Sequence, residues 1–299
     1  MSRRSWLLFA GLALIWGIPY LLIRVAVAEL APPVLVFGRT AIGAALLLPL
    51  ALRRGHLAAL RARWRPILAF TAAEVALPWL LLSDAERRLS SSAAGLLVAC
   101  VPLAGAVVSR LSGRREGPLG WHGLAGLLLG LAGVAALVGL DVSVRDGWAL
   151  AEMALVVLGY AVGPLVVARA LTDLPSLEVV AVSLGVAALG YAPAAALALP
   201  AHLPAPATLG AVAILGVVCT AAAFVMFFEL IADVGPIRAT VVAYLNPAVA
   251  VAAGVGLLGE PLTAGMVLGF ALILVGSWLA TRPAGAAVGV SRAGEGQGA

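Results

Sequence analysis

Six polar or aromatic residues stand where an otherwise apolar chain gives them little access to water: Trp16, Arg39, Glu74, Tyr160, Tyr244 and Asn246. Arg39 and Glu74 carry the sharpest chemistry. A guanidinium can meet a carboxylate with two parallel hydrogen bonds, so Arg39 reads as a receptor for a substrate carboxylate. A buried carboxyl group is costly when charged, so Glu74 reads as a proton site or as the partner of a substrate amine. The plainer alternative is a structural ion pair, or an arginine that snorkels toward water. Trp16 lies within Ile15-Trp16-Gly17-Ile18-Pro19-Tyr20, and Tyr244 and Asn246 directly precede Pro247. Each therefore sits beside helix-loosening residues, where it could line or gate a cavity, although an aromatic in such a place can equally be plain packing. Asn246 is the only asparagine in the chain.

Catalytic chemistry finds little material. With no lysine there is no P-loop and no Schiff-base nucleophile. Gly254-Val255-Gly256-Leu257-Leu258-Gly259 spells the dinucleotide fingerprint, but it ends an apolar run where the fingerprint must follow a strand and open a helix. His56, His122 and His202 fall in loops or at interfaces, apart from one another and from acidic residues, so neither a metal site nor a cofactor is expected. Cys100 and Cys219 read as small buried side chains. The chain is read as a non-enzyme.

The elements that must position these residues are membrane spans. Of 299 residues, 63% are apolar and 11% charged, against about 25% charged in a soluble globule. Ten apolar runs are each near the roughly 20 residues that cross a bilayer: 5–26, 33–52, 66–83, 90–109, 119–140, 147–168, 176–199, 208–231, 237–258 and 264–281. The predicted fold is therefore an all-α integral membrane protein of ten transmembrane helices. All 19 basic residues are arginines, and placing both termini in the cytoplasm puts fourteen of them on that side. The net charge of +5 thus orients the chain in a cell membrane and does not point to nucleic acid. Trp6, Trp64, Trp121, Trp148 and Trp278 near span ends fit an interfacial aromatic belt. Close-set glycines, such as Gly126 and Gly133, fit helix packing in lipid. Glu152, Glu178 and Glu229, nearer span ends, are expected to reach water. Residues 1–282 read as a single domain and 283–299 as a disordered cytoplasmic tail. In a hydrocarbon core about 30 Å thick, Arg39 and Glu74 differ in depth by about 9 Å, a gap that their side chains could bridge.

The chain also says one thing twice. Pro102, Glu116, Gly126 and Gly133 recur in order and at nearly the same spacing as Pro247, Glu260, Gly269 and Gly276. Five runs separate the copies, so the second repeat (about 147–281) is inverted relative to the first (about 5–140), an arrangement typical of transporters. The prolines are hinge candidates, and Glu116 and Glu260, just before spans five and ten, are read as helix caps. Trp16-Gly17, Arg39, Leu245-Asn246-Pro247, Leu258-Gly259-Glu260-Pro261 and the doubled pattern together resemble the EamA-type drug/metabolite transporters over residues 6 to 281. That resemblance implies two inverted five-helix repeats around a midplane cavity, and a secondary transporter that moves amino acids, other small metabolites or drugs, often outward. Glu74 departs from the family pattern. Protons are a possible coupling partner, and the lipid bilayer a certain one. The rivals are a non-transporting receptor or scaffold, which gains nothing from symmetry across the bilayer, and an intramembrane enzyme, which lacks a nucleophile with its base within the spans.

Overall fold

A computed structural model describes residues 2–55, 57–111, 121–140, 146–235 and 239–281. Glu116 and the tail at 283–299 lie outside the described residues. Among those residues nine helices are long and apolar enough to cross a membrane: α1 (Arg3–Ala26), α2 (Pro32–Arg54), α3 (Trp64–Ala85), α4 (Ser91–Leu111), α5 (Trp121–Leu140), α6 (Gly147–Ala170), α7 (Ser176–Leu197), α8 (Pro206–Val234) and α9 (Val241–Leu258). A further apolar helix, α10 (Ala264–Thr281), follows. No strand occurs among the described residues.

Several helices are interrupted, and the sequence shows why. α1 breaks at Ile18, α4 at Ala99 and Cys100, and α9 at Leu245, and each continues with Pro19, Pro102 or Pro247 in its new first turn. Proline is tolerated there because the first N–H groups of a helix have no internal acceptor to lose. α3 carries a π-helical turn over Thr71–Ala76, and α8 another over Val217–Ala222. In α3, Pro78 cannot donate to the carbonyl of residue 74, which loosens the ladder at that turn. The Tyr191 hydroxyl of α7 donates to Ala76 O, at the end of that turn, 3.1 Å away. In α8 the Thr220 hydroxyl donates five residues back to Leu215 O at 2.8 Å.

The helices pack in matched pairs. α5 lies against α10, α2 against α7 and α4 against α9, while α3 packs on α6 as α8 packs on α1. Exchanging helices one to five with six to ten maps this set onto itself. The α5–α10 contact is reciprocal in detail: a side chain at Gly126 would meet Gly276 O at 2.6 Å and one at Gly133 would meet Gly269 O at 2.8 Å. Only glycine lets two backbones approach so closely, which is how helices associate in lipid.

Side-chain contacts sort the helix ends into two groups. At one end Arg4 meets Glu229 (2.7 Å) and Asp233 (3.1 Å), Arg63 meets Asp173 (3.0 Å) and Arg54 reaches Glu178 (3.9 Å). At the other end Glu29 accepts from Ala205 N (2.7 Å), Arg88 meets Asp84, Asp146 and Glu152, and Glu260 accepts from Ser91 N (2.7 Å). α1 starts at the first end and α6 at the second. Trp6, Trp64, Trp121, Trp148 and Trp278 are all exposed near helix ends.

Two expectations need correction. Glu152 and Glu178 do not reach water: they are 5% and 1% exposed and face Arg88 and Arg54, because each lies on the side of its helix turned toward a neighbour. Glu260 is a cap, but not of the helix it precedes. Its carboxylate accepts from Ser91 N and Ser92 N at 2.7 and 2.9 Å and so closes the N-terminus of α4, while Thr263 caps α10 through Met266 N. The connection after α9 folds back over α4, which places the carboxylate nearer that helix's free N–H groups.

Candidate functional site

The interior polar group centres on Arg39. It is 4% exposed, in the first half of α2, and its guanidinium carbon lies 3.6 Å above the Trp79 ring of α3. Nη2 approaches Thr220 Oγ1 of α8 at 3.5 Å, and Nε has no hydrogen-bond partner. The stacked indole holds the guanidinium flat by a cation–π interaction, which leaves Nε without an acceptor. Tyr160 of α6, Tyr20 of α1 and Cys219 of α8 lie within its electrostatic reach. Tyr160 also interacts with Trp79 and lies near Glu74.

Glu74 belongs to the π turn of α3, and its Oε2 is buried without a partner. Room for it comes from α6, where any side chain at Gly163 would run into the Glu74 carboxylate. Arg39 and Glu74 form no ion pair. The bridging that their depths would allow does not occur, because Arg39 turns onto Trp79 and Thr220 while Glu74 turns toward Gly163. Of the six predicted residues, the fold gathers Arg39, Glu74 and Tyr160 into this group.

Trp16, Tyr244 and Asn246 go elsewhere. Trp16 packs on Phe227 and Phe224 of α8 at ring distances of 4.8 and 6.2 Å, within an apolar cluster that includes Leu12, Leu230 and Val242. The adjacent Gly17 lets α9 approach: a side chain there would strike Val249 and come within 3.1 Å of Asn246 O. Tyr244 ends the 3-10 turn that opens α9, half-buried, and Asn246 begins the α-helical part with its Oδ1 buried and unpartnered. Pro247 is buried beside it, and Pro102 is half-buried at the break in α4.

Four residues of the group were not predicted: Tyr20, Trp79, Thr220 and Glu86. Thr220 stands 146 residues after Glu74 at the matching place in the second π turn, so the repeat offset was a usable signal. Glu86 sits in Asp84-Ala85-Glu86-Arg87-Arg88, which reads as a charged loop. It is instead fully buried at the C-terminal cap of α3, with both carboxylate oxygens unpartnered. Burial pushes its carboxyl well above the usual range; nearby Glu260 adds to this, and Arg24 and Arg39 offset part of it.

Comparison with known proteins matches this arrangement to a family. The family model described as "EamA-like transporter family" matches residues 4–139 and again 147–282. The chain belongs to the EamA-like transporter family. The double match coincides with the two halves that the helix pairing interchanges. Within the EamA-like transporters, the chain is 32% identical over 287 residues to the "Uncharacterized inner membrane transporter YedA" of Escherichia coli (strain K12), covering 90% of this chain and 89% of that protein. The counterpart from Escherichia coli O157:H7 matches to the same extent. A solved crystal structure shares the fold with a TM-score of 0.65 at 21% identity, over 94% of this chain and 97% of its own. The protein is a membrane transporter of this family.

Proposed function

We propose that this transporter is a secondary carrier, of two inverted five-helix repeats, that exports small zwitterionic metabolites such as amino acids by alternating access around the Arg39 group. Support for the inversion comes from the opposite starting ends of α1 and α6 and from the crossed glycine contacts. Gly126 facing Gly276 and Gly133 facing Gly269 is what a twofold axis produces when Gly126 corresponds to Gly269 and Gly133 to Gly276.

The observation that carries the substrate class is that Arg39 and Glu74 lie in one interior group, each with an unpartnered atom, and do not pair. A buried cation and a buried acid that satisfied each other would leave nothing to recruit. Left apart, Arg39 receives a carboxylate at its free Nε, with Thr220 yielding Nη2, and Glu74 receives an ammonium, while Tyr20, Tyr160 and Trp79 supply surface and hydrogen bonds. A zwitterion compensates both groups at once, which offsets the cost of burying them. Trp16, Tyr244 and Asn246, at the α1–α8–α9 contact, line or gate the path, and Pro102 and Pro247 act as hinges where α4 and α9 are already broken.

The protein sits in the cell membrane with both termini in the cytoplasm, a placement supported by the arginine distribution and by the inner-membrane description of YedA. The outward direction rests on the family resemblance. Flux of labelled amino acids in proteoliposomes tests the reading. Flux with at least one α-amino acid, lost on removing either its carboxylate or its amine, is the expected result. Transport of a substrate lacking both charges, with none of amino acids, sinks it.

A further inference from the structure

The zwitterion pocket leaves Glu86 without a task. It is fully buried, and neither carboxylate oxygen has a hydrogen-bond partner. Arg24 of α1, the nearest candidate cation, donates instead to the backbone carbonyl of Glu86 at 2.5 Å. The other facing groups are Tyr20 from α1, Arg39 from α2, Tyr160 from α6 and Glu260 from the α9–α10 connection. Arg88, two residues on, is engaged by Asp84, Asp146 and Glu152. Glu260 is committed to Ser91 and Ser92, so it approaches Glu86 as a second negative charge.

An ionised Glu86 would therefore sit at the negative end of the α3 dipole, beside another carboxylate and with no donor to its oxygens. A protonated Glu86 carries only the smaller cost of an unpaired hydroxyl. Water is nonetheless close. Arg87, the next residue, is exposed, so a modest opening at the corner between α3 and α4 would wet the group.

We infer that Glu86 is a proton-binding group linked to substrate binding, exchanging its proton when the α3–α4 corner opens and holding it when the corner closes. The inference rests on the zwitterion reading of the Arg39 pocket. Seven residues separate Glu86 from Trp79, so the two lie about 10 Å apart along α3. Across that distance in a low-dielectric interior, a charge on Glu86 competes with a substrate carboxylate for Arg39. A neutral Glu86 leaves Arg39 to the substrate. Substrate and proton are therefore taken up together, and released together, when the α3–α4 corner is open.

Two measurements on the full-length protein decide the matter. The infrared difference between wild type and Glu86→Gln at pH 7 should show a protonated-carboxyl C=O band that the variant lacks; no such band overturns the inference. Binding of an amino-acid panel, followed by thermal shift at pH 6 and pH 8, should be several-fold tighter at pH 6 in wild type and independent of pH in Glu86→Gln. Equal pH dependence in both proteins also overturns it. If no amino acid binds either protein, the zwitterion reading has failed, and the infrared band alone decides whether Glu86 holds its proton. Glu86→Gln copies the neutral group and should fold at wild-type yield. A Gln variant that misfolds while Glu86→Asp folds would mean the charge is required, and that too overturns the proposal.

Discussion

At the scale of single residues, the decisive contrast is between shape and charge at Arg39. A lysine there keeps the positive charge but loses the planar surface that lies on Trp79 and the fork that receives a carboxylate. Arg39→Lys should therefore lower transport at least 10-fold, about 1.4 kcal/mol or more, while melting close to wild type. A variant that retains wild-type flux would show that Arg39 acts only as a charge. Glu86 supplies a second prediction, with its sign fixed by linkage. An unfolded glutamate titrates near pH 4.3, whereas burial raises the folded group well above that. The folded state then binds the proton more tightly than the unfolded state, so its contribution is complete below the unfolded value and is lost as pH rises through the folded one. The melting midpoint of detergent-solubilised protein should fall between pH 5 and pH 8, with a shallower slope in Glu86→Gln. Identical slopes would show that another group sets the dependence.

At the scale of elements, α5 and α10 meet backbone to backbone, so side-chain volume there has nowhere to go. Gly126→Leu or Gly276→Leu must separate the helices, whereas Gly105→Ala in α4 meets nothing within 4 Å. Overpacking should cost about 1–3 kcal/mol for the first two and leave the third close to wild type, read as loss of folded protein on size-exclusion chromatography and a lower melting point. A tolerated Gly126→Leu would mean that the two helices are not a fixed unit. The glycines also show what is legible in the sequence. Their spacing and their repetition are one-dimensional facts, so the chain alone marks these faces for close helix packing. The order of the spans and the burial of Arg39 are equally legible, since a long apolar run reports its own environment. Glu86 is not legible, because its charged neighbours at Asp84, Arg87 and Arg88 read as a solvated loop and only the folding-over of α1 and the α9–α10 connection buries it. Glu260 misleads for the same reason: a cap is recognised along the chain by proximity to the next helix, and here the recipient is α4. The absence of an ion pair between Arg39 and Glu74 is also beyond reach, since depth constrains two side chains without saying which neighbours they turn toward.

At the scale of the whole molecule, the two halves present unequal clasps at opposite ends. Arg4 at the start of α1 holds Glu229 and Asp233 near the end of α8, and Arg88 just past the end of α3 holds Asp146 and Glu152 at the start of α6. Exchange of the halves carries the α1–α8 pair onto the α6–α3 pair, so the proposed inversion puts these clasps at equivalent places on opposite faces of the membrane. They differ in strength. Arg4 is 59% exposed, and an exposed pair contributes about 0–1 kcal/mol. Glu152 is 5% exposed, so removing Arg88 strands a carboxylate away from water and costs more than losing a surface pair. A carrier that opens to one side at a time must release these clasps alternately, and the weaker one releases more often. Spin labels at Arg87 and Gly147 span the Arg88 clasp, and labels at Ser2 and Val234 span the Arg4 clasp, in a cysteine-free background. Arg88→Ala should lengthen and broaden the first distance while leaving the second short, and Arg4→Ala should do the reverse by a smaller amount. If both substitutions widen the same end, or if both ends widen together, the two faces are not coupled in opposition and access does not alternate between them.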